Sequence, residues 1–372
     1  MDKTRAIGPD LLRGLAILLV ASAHMPMDNL PPAFWTYWGQ FGWLGVDIFF
    51  VLSGYLIGSE LLKPVERGTA PDLRIFYLKR VLRILPVFWL MVALYFAFPV
   101  LQEGATIAPP WRFLTFTLNF GLDIHTERTF SHAWSLCVEE HFYLVLPVLI
   151  LLFRSLRWKG LPIVFAAAMV IGGLALRYAL YQFMPVGHDA VQFLKTIYYP
   201  SYCRLDGLVM GVSLAGLRLF YPGVWAKLAR PLVLLPLACL CFAITGYLNV
   251  RTGEILNELG SVIFYPLFSL GVAFTLMSLL QLEPKLQPLR WTGLGYIAQI
   301  SYSFYLCQKM VYHADGLWLP KVWTQGWLGV AVYYVTAILA ASLLFFVVEG
   351  SFLRLRRHWL ARFKTAQAPV IT

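Results

Sequence analysis

Residues 132–143 read His132, Ala133, Trp134, Ser135, Leu136, Cys137, Val138, Glu139, Glu140, His141, Phe142, Tyr143, and lead straight into an apolar run long enough to cross a bilayer. Glu139 and Glu140 therefore enter a membrane span, where an ionisable side chain is costly and marks a functional site by default. Ser135, Glu139 and Tyr143 follow an i, i+4, i+8 spacing, so one face of that helix carries a polar stripe. A second ionisable set, Asp10, Arg13 and His24, interrupts the first apolar stretch. Eleven residues separate Arg13 from His24, close to three helical turns, which puts them on a shared face about 16 Å apart along the axis. A histidine beside a carboxylate can be held in one tautomer and serve as a general base near neutral pH. The bland alternative has Arg13 snorkelling and His24 at the interface.

Arg80 and Arg83 stand one turn apart ahead of the third apolar stretch, with Arg74 and Lys79 nearby. Guanidinium forks match phosphate oxygens, so this RxxR spacing can clamp a polyanion, while a solvated basic cluster accounts for Lys79. The run from Gly45 to Gly54 contains Asp47 and Ser53, and its small residues permit close helix approach. Arg204 and Asp206 enter a later span to about the depth of the glutamates. His24, the two glutamates and the Arg204/Asp206 pair are thus expected at a similar level in the outer half of the membrane.

The elements that must position these groups are dictated by composition. With 59% hydrophobic and 13% charged residues over 372 positions, and a mean hydropathy of +0.68, the chain cannot be a soluble globule. The net charge of +11 does not point to nucleic acid, because Lys and Arg fall at the ends of apolar runs. Spans of about 18 to 24 residues are predicted near 10–27, 41–62, 84–101, 134–153, 161–181, 201–220, 231–250, 259–281, 292–312 and 325–348. Alternating the loops leaves 21 of the 30 Lys and Arg on one side and 5 on the other, with Arg13, Arg177, Arg204 and Lys309 inside spans. The positive-inside rule then puts both termini in the cytoplasm. Lys3 and Arg5 before the first span look like a secretory signal, but the segment reads as an uncleaved span.

The expectation is an all-α, polytopic protein of about ten transmembrane helices. Residues 1–353 would form one integral domain and 354–372 a basic cytoplasmic tail. The five cysteines lie within spans and show no metal-ligand spacing, and His125, His132 and His141 lack H-E-x-x-H spacing, so no metal is expected. Lys309 and His313 read as interfacial anchors.

Taken together, these runs resemble the acyltransferase-3 family of integral membrane acyltransferases over nearly the whole chain. The matching stretches are Asp10 to Ala16 followed by His24, Gly45 to Gly54, Phe76 to Pro86, and Ser135 to Tyr143; weaker ones are Arg204 to Gly207, Ile300 to Leu306, and Glu349. The resemblance implies a ten-span enzyme of the cytoplasmic (inner) membrane. It would pass an acyl group, usually acetyl, from cytoplasmic acyl-CoA to a hydroxyl of a carbohydrate or related acceptor. Acyl-CoA would be a co-substrate, with no tightly bound cofactor; membrane lipid would surround the chain, and a separate periplasmic partner could act downstream.

Carried onto this sequence, the catalytic residues would be His24, Glu139, Glu140 and Arg13, and the donor-binding ones Arg80, Arg83, Ser53 and Gly54. Asp10, Asp47, Ser135, Tyr143, Arg204 and Asp206 would support the pocket. His24 would deprotonate the acceptor or take the acyl group itself, with Glu139 or Glu140 orienting its ring. Arg13 would line the donor channel, and Arg204 would neutralise the oxyanion or hold Asp206. The chain departs from the family at Gln308, where many relatives have His, and at Gly350 and Ser351, where they have Pro. The competing class is a transporter or flippase, since intramembrane charges also build relays, although the two halves show no inverted repeat.

Overall fold

The computed structural model describes residues 6–156, 161–185, 187, 189–252, 257–291 and 293–366. Lys3 and Arg5, Arg157 and Lys159, and the end of the basic tail from 367 lie outside the described residues. The protein is 83% helical, without strands among the described residues. Ten long helices follow the ten predicted spans: α1 Ile7–His24, α2 Leu44–Glu66, α3 Leu73–Ala97, α4 Trp134–Leu156, α5 Leu161–Phe183, α6 Asp206–Phe220, α7 Pro231–Thr252, α8 Glu258–Gln281, α9 Gly293–Trp318 and α10 Gly326–Leu344. A π-turn over Phe345–Glu349 joins α10 to a last helix, α11 Gly350–Ala366.

Among the described residues, eight helical stretches are long and apolar enough to cross a membrane, and the bent pair Asp206–Phe220 and Pro222–Leu228, folded at 114°, brings the number to nine. Helix α9 has 26 residues, a rise of about 39 Å. Five of its polar side chains, Ser301, Ser303, Gln308, Lys309 and Asp315, are buried, so that face is covered by protein rather than lipid. It packs against α1 and α10. By contrast, only 6% of the α5 stretch is buried, and Ile163, Val164 and Ile171 face outward with Leu144, Val148, Leu339 and Leu343 of α4 and α10. An outward apolar belt with a polar inner face is the arrangement lipid requires.

Helix α3 begins eleven residues earlier than the predicted span. Asp72 caps it by accepting from the Ile75 amide at 3.0 Å, so Arg80 and Arg83 stand inside a continuous helix. Glycines set the closest crossing, α2 on α6. A Cβ on Gly54 would sit 2.1 Å from the Leu208 carbonyl oxygen, and one on Gly211 2.2 Å from that of Val51. Gly45 likewise meets Ala16 of α1, with 2.3 Å left for a Cβ. The start of α1, the start of α3 and α11 meet at one end of the bundle, hereafter the basic end; His24 closes α1 at the other.

The loop after α3 is folded rather than draped. The Arg112 guanidinium donates to Glu127 at 2.6 Å and to the Leu118 and Phe120 carbonyls at 2.9 and 2.6 Å, and the loop buries Phe113 and Phe130 against Phe88, Tyr95 and Phe96 of α3.

Candidate active site

A cavity of about 790 Å³ opens at the basic end and is walled by α1, α2, α3, α4, α9 and α11. Helical spacing explains who lines it. Ser53, Ile57 and Glu60 share one face of α2, Arg80 and Arg83 one face of α3, and Ser135, Glu139 and Tyr143 the expected stripe of α4. Asp10 and Arg13 reach it from α1 as an ion pair of 3.1 Å.

Its charges are partly satisfied from within. Glu60 accepts from Lys79 at 2.7 Å and from Arg80 at 2.8 Å, and the Arg80 guanidinium also lies 5.8 Å and 6.0 Å from the ring centres of Phe76 and Tyr143. Glu139 accepts from the Tyr143 hydroxyl at 2.5 Å and faces Ser53, Arg80 and Arg83. Glu140 acts on Arg80 but does not line the cavity. Glu349 is held by the Ser303 hydroxyl at 2.6 Å, with the π-turn carrying it inward. Arg83 makes no ion pair among the described residues.

Ser135 and Tyr305 close the inner end. Their hydroxyls are 2.6 Å apart, and Tyr305 donates to the His132 carbonyl at 2.6 Å. Directly behind them lies a layer of rings: His132 is 5.2 Å from Tyr305, and His24 is 5.4 Å from His132. The Gln308 amide nitrogen donates to His24 Nδ1 at 3.1 Å. His24 is half-buried and keeps accessible surface although it does not line the cavity. Both ring nitrogens of His132 and Oε1 of Gln308 are buried without a hydrogen-bond partner. Lys309 pairs with Glu103 at 2.9 Å and donates to the Arg128 carbonyl and the Ser131 hydroxyl, and Lys309 and Arg128 are the cations that act on His24.

The structure redistributes several sequence expectations. Among the described residues His24 is hydrogen-bonded by Gln308 and by neither Glu139 nor Glu140, because α4 turns its carboxylates toward α2 and α3. Arg204 does not hold Asp206. It binds Asp47 of α2 at 2.8 and 3.0 Å, and Asp206 instead receives Arg177 of α5 at 2.7 and 3.2 Å. Arg204 is enclosed by Tyr265, Tyr198, Trp134 and Phe50 at 3.9 to 5.9 Å. None of Asp47, Arg204 and Asp206 lines the cavity, so this network joins helices. Gly54 faces α6, not the cavity, while Ser53 beside it does line it. Lys309 is no interfacial anchor but a buried ion pair.

Sequence reasoning missed Tyr305, His132 as a buried residue, and the role of Gln308. Tyr305 and Gln308 are i, i+3 neighbours on α9, a signal available in the sequence, but nothing local says that this face meets His24. His132 precedes a span in a stretch that reads as solvated loop, and the buried fold of the preceding loop brings it inside.

A family model described as an acyltransferase domain matches residues 7–349. Among curated proteins, the peptidoglycan O-acetyltransferase OatA of Listeria monocytogenes is 29% identical over 220 residues, covering 55% of this chain and 33% of that protein. A protein of Staphylococcus aureus carrying a provisional O-acetyltransferase name is 25% identical over 371 residues, covering 93% of this chain and 57% of its own. The chain thus spans from one third to somewhat over half the length of these relatives. No solved structure matches.

Proposed function

This chain belongs to the membrane acyltransferase family whose domain it carries across residues 7–349, and from that premise we propose that it is an O-acyltransferase passing an acyl group, first of all acetyl, from acyl-CoA to a hydroxyl of a carbohydrate acceptor. The observation that carries the reading is the arginine-lined cavity that opens at the basic end and stops at Ser135 and Tyr305, one ring layer from His24. By the positive-inside rule that end faces the cytoplasm. Acyl-CoA enters there, its phosphates against Arg80 and Arg83, and its extended pantetheine arm leads toward His24, about 16 Å beyond Arg13 along α1.

For transfer, the acceptor hydroxyl loses its proton to His24 as its oxygen attacks the thioester carbonyl; the C–S bond breaks and the thiolate leaves. The base is the His24 Nε2 lone pair. That requires the proton on Nδ1, which turning the Gln308 amide provides: its Oε1, now without a partner, accepts from Nδ1–H. The unpaired His132 nitrogens support a hydroxyl-bearing ligand at this layer. His24 keeps part of its surface accessible although it does not line the cavity, which supports an acceptor arriving from the opposite end. The name of the Listeria relative makes a peptidoglycan sugar hydroxyl the first acceptor to try. We place the protein in the cytoplasmic membrane, with a separate outer partner receiving or presenting the acceptor.

The test is transfer of labelled acetyl from acetyl-CoA by purified protein in nanodiscs. Wild type is expected to label the acceptor or hydrolyse the donor, and His24→Ala to lose a factor of about 10² to 10⁴. Full transfer by His24→Ala would remove the proposed mechanism. Absence of donor binding by folded wild type would remove the reading.

A further inference from the structure

Helix α11 covers the start of the segment expected as a basic cytoplasmic tail over 354–372, and its Arg354, Arg356 and Arg357 line the cavity together with Arg80 and Arg83. The helix packs on α3, which carries the latter two. Of the three, Arg356 is half-buried where Arg354 and Arg357 are exposed, and it faces Arg80, Arg83 and Glu60. Its Nε is buried without a hydrogen-bond partner, as is that of Arg80. Glu60, the carboxylate that acts on Arg356, is already bound by Lys79 and Arg80. Arg80, Arg83 and Arg356 therefore meet in a cavity whose lining carries six arginines against the four carboxylates of Asp10, Glu60, Glu139 and Glu349, and that excess of positive charge favours entry of an anion. A basic helix held at the surface only by topology would turn such side chains to water.

We infer that Arg356 of α11 joins Arg80 and Arg83 to form a phosphate site for the nucleotide end of the donor. The inference rests on the acyl-CoA reading above and adds a third helix to it: the far wall of the donor site is built by the C-terminal segment. An anionic lipid headgroup offers the same chemistry from another source, and the test must separate the two.

The experiment measures the Kd of acetyl-CoA and of adenosine 3′,5′-bisphosphate, which carries the phosphates without the pantetheine arm, on full-length protein in nanodiscs with and without anionic lipid. Losing one charge-assisted contact weakens binding by about ten- to a hundredfold, so Arg356→Gln is expected to weaken both probes by a similar factor in that range. Arg356→Lys, which keeps the charge but not the fork, is expected to fall between the two proteins. It also serves as the folded comparison should Arg356→Gln be unstable. Wild-type affinity in Arg356→Gln overturns the inference and leaves the donor reading standing. So does a loss for acetyl-CoA without loss for the bisphosphate. A dependence on Arg356 that appears only through anionic lipid assigns the site to a headgroup and also overturns it. Failure of wild type to bind either probe defeats the donor reading itself.

Discussion

Replacing Arg204 by Met tests whether this residue, which the sequence places among the chemistry, holds the fold instead. The guanidinium is fully buried, bonded to Asp47 at 2.8 and 3.0 Å, with the Tyr265 and Tyr198 ring centres 3.9 and 4.5 Å from its central carbon. An ion pair about 4 Å apart gains about 4 kcal/mol at an effective dielectric of 20. Removing one partner of a buried pair costs about 3 to 5 kcal/mol, because the other charge stays behind uncompensated, and desolvated cation–π contacts add about 2 kcal/mol. Arg204→Met should therefore lower stability by about 5 kcal/mol, enough to reduce folded yield. The Asp47→Asn/Arg204→Met double variant removes both charges and should recover about 3 kcal/mol of that loss. Unfolding in mixed micelles across the four proteins of the cycle gives the coupling directly. A folded Arg204→Met protein with wild-type resistance to unfolding and no acetyl transfer would refute the reasoning and return Arg204 to the chemistry.

Other outcomes follow from the same geometry. Gly54→Ala puts a methyl 2.1 Å from the Leu208 carbonyl oxygen, a backbone atom that cannot swing away. It should destabilise the α2–α6 crossing by about 1 to 3 kcal/mol, read as a lower thermal midpoint, while acetyl-CoA affinity in the folded fraction stays unchanged. Gln308→Leu removes the hydrogen bond to His24 Nδ1 and should lower kcat by about 10- to 100-fold, less than the roughly 10² to 10⁴ that the general base itself contributes, with the Kd for acetyl-CoA unmoved; a loss confined to donor affinity would speak against a positioning role.

The stripe Ser135, Glu139 and Tyr143 and the RxxR pair could be read from the chain because residues a turn apart share a face whatever the helix packs against. The spans were equally legible, since apolar length is a local property, and the predicted ranges fall on α1 to α10. Arg177 was visible only as a charge left inside a span; that it serves Asp206, leaving Arg204 to Asp47, depends on which helices touch. The Gln308 departure is visible in the sequence, but its meaning depends on α9 lying along α1, which brings it to His24.

Taken alone, the sequence determined the membrane class, the ten helices, the basic end and the family, because hydropathy, charge placement and ordered motifs are each carried by neighbouring residues. Tertiary structure alone decided how those helices rotate about their axes and whom they meet. That rotation sends Glu139 to the arginine cavity and not to His24, turns Gly54 to α6 and Ser53 to the cavity, and buries His132. The physical reason is that a helix fixes the spacing of its own side chains, whereas the partner of each face is chosen by the packing of the whole bundle.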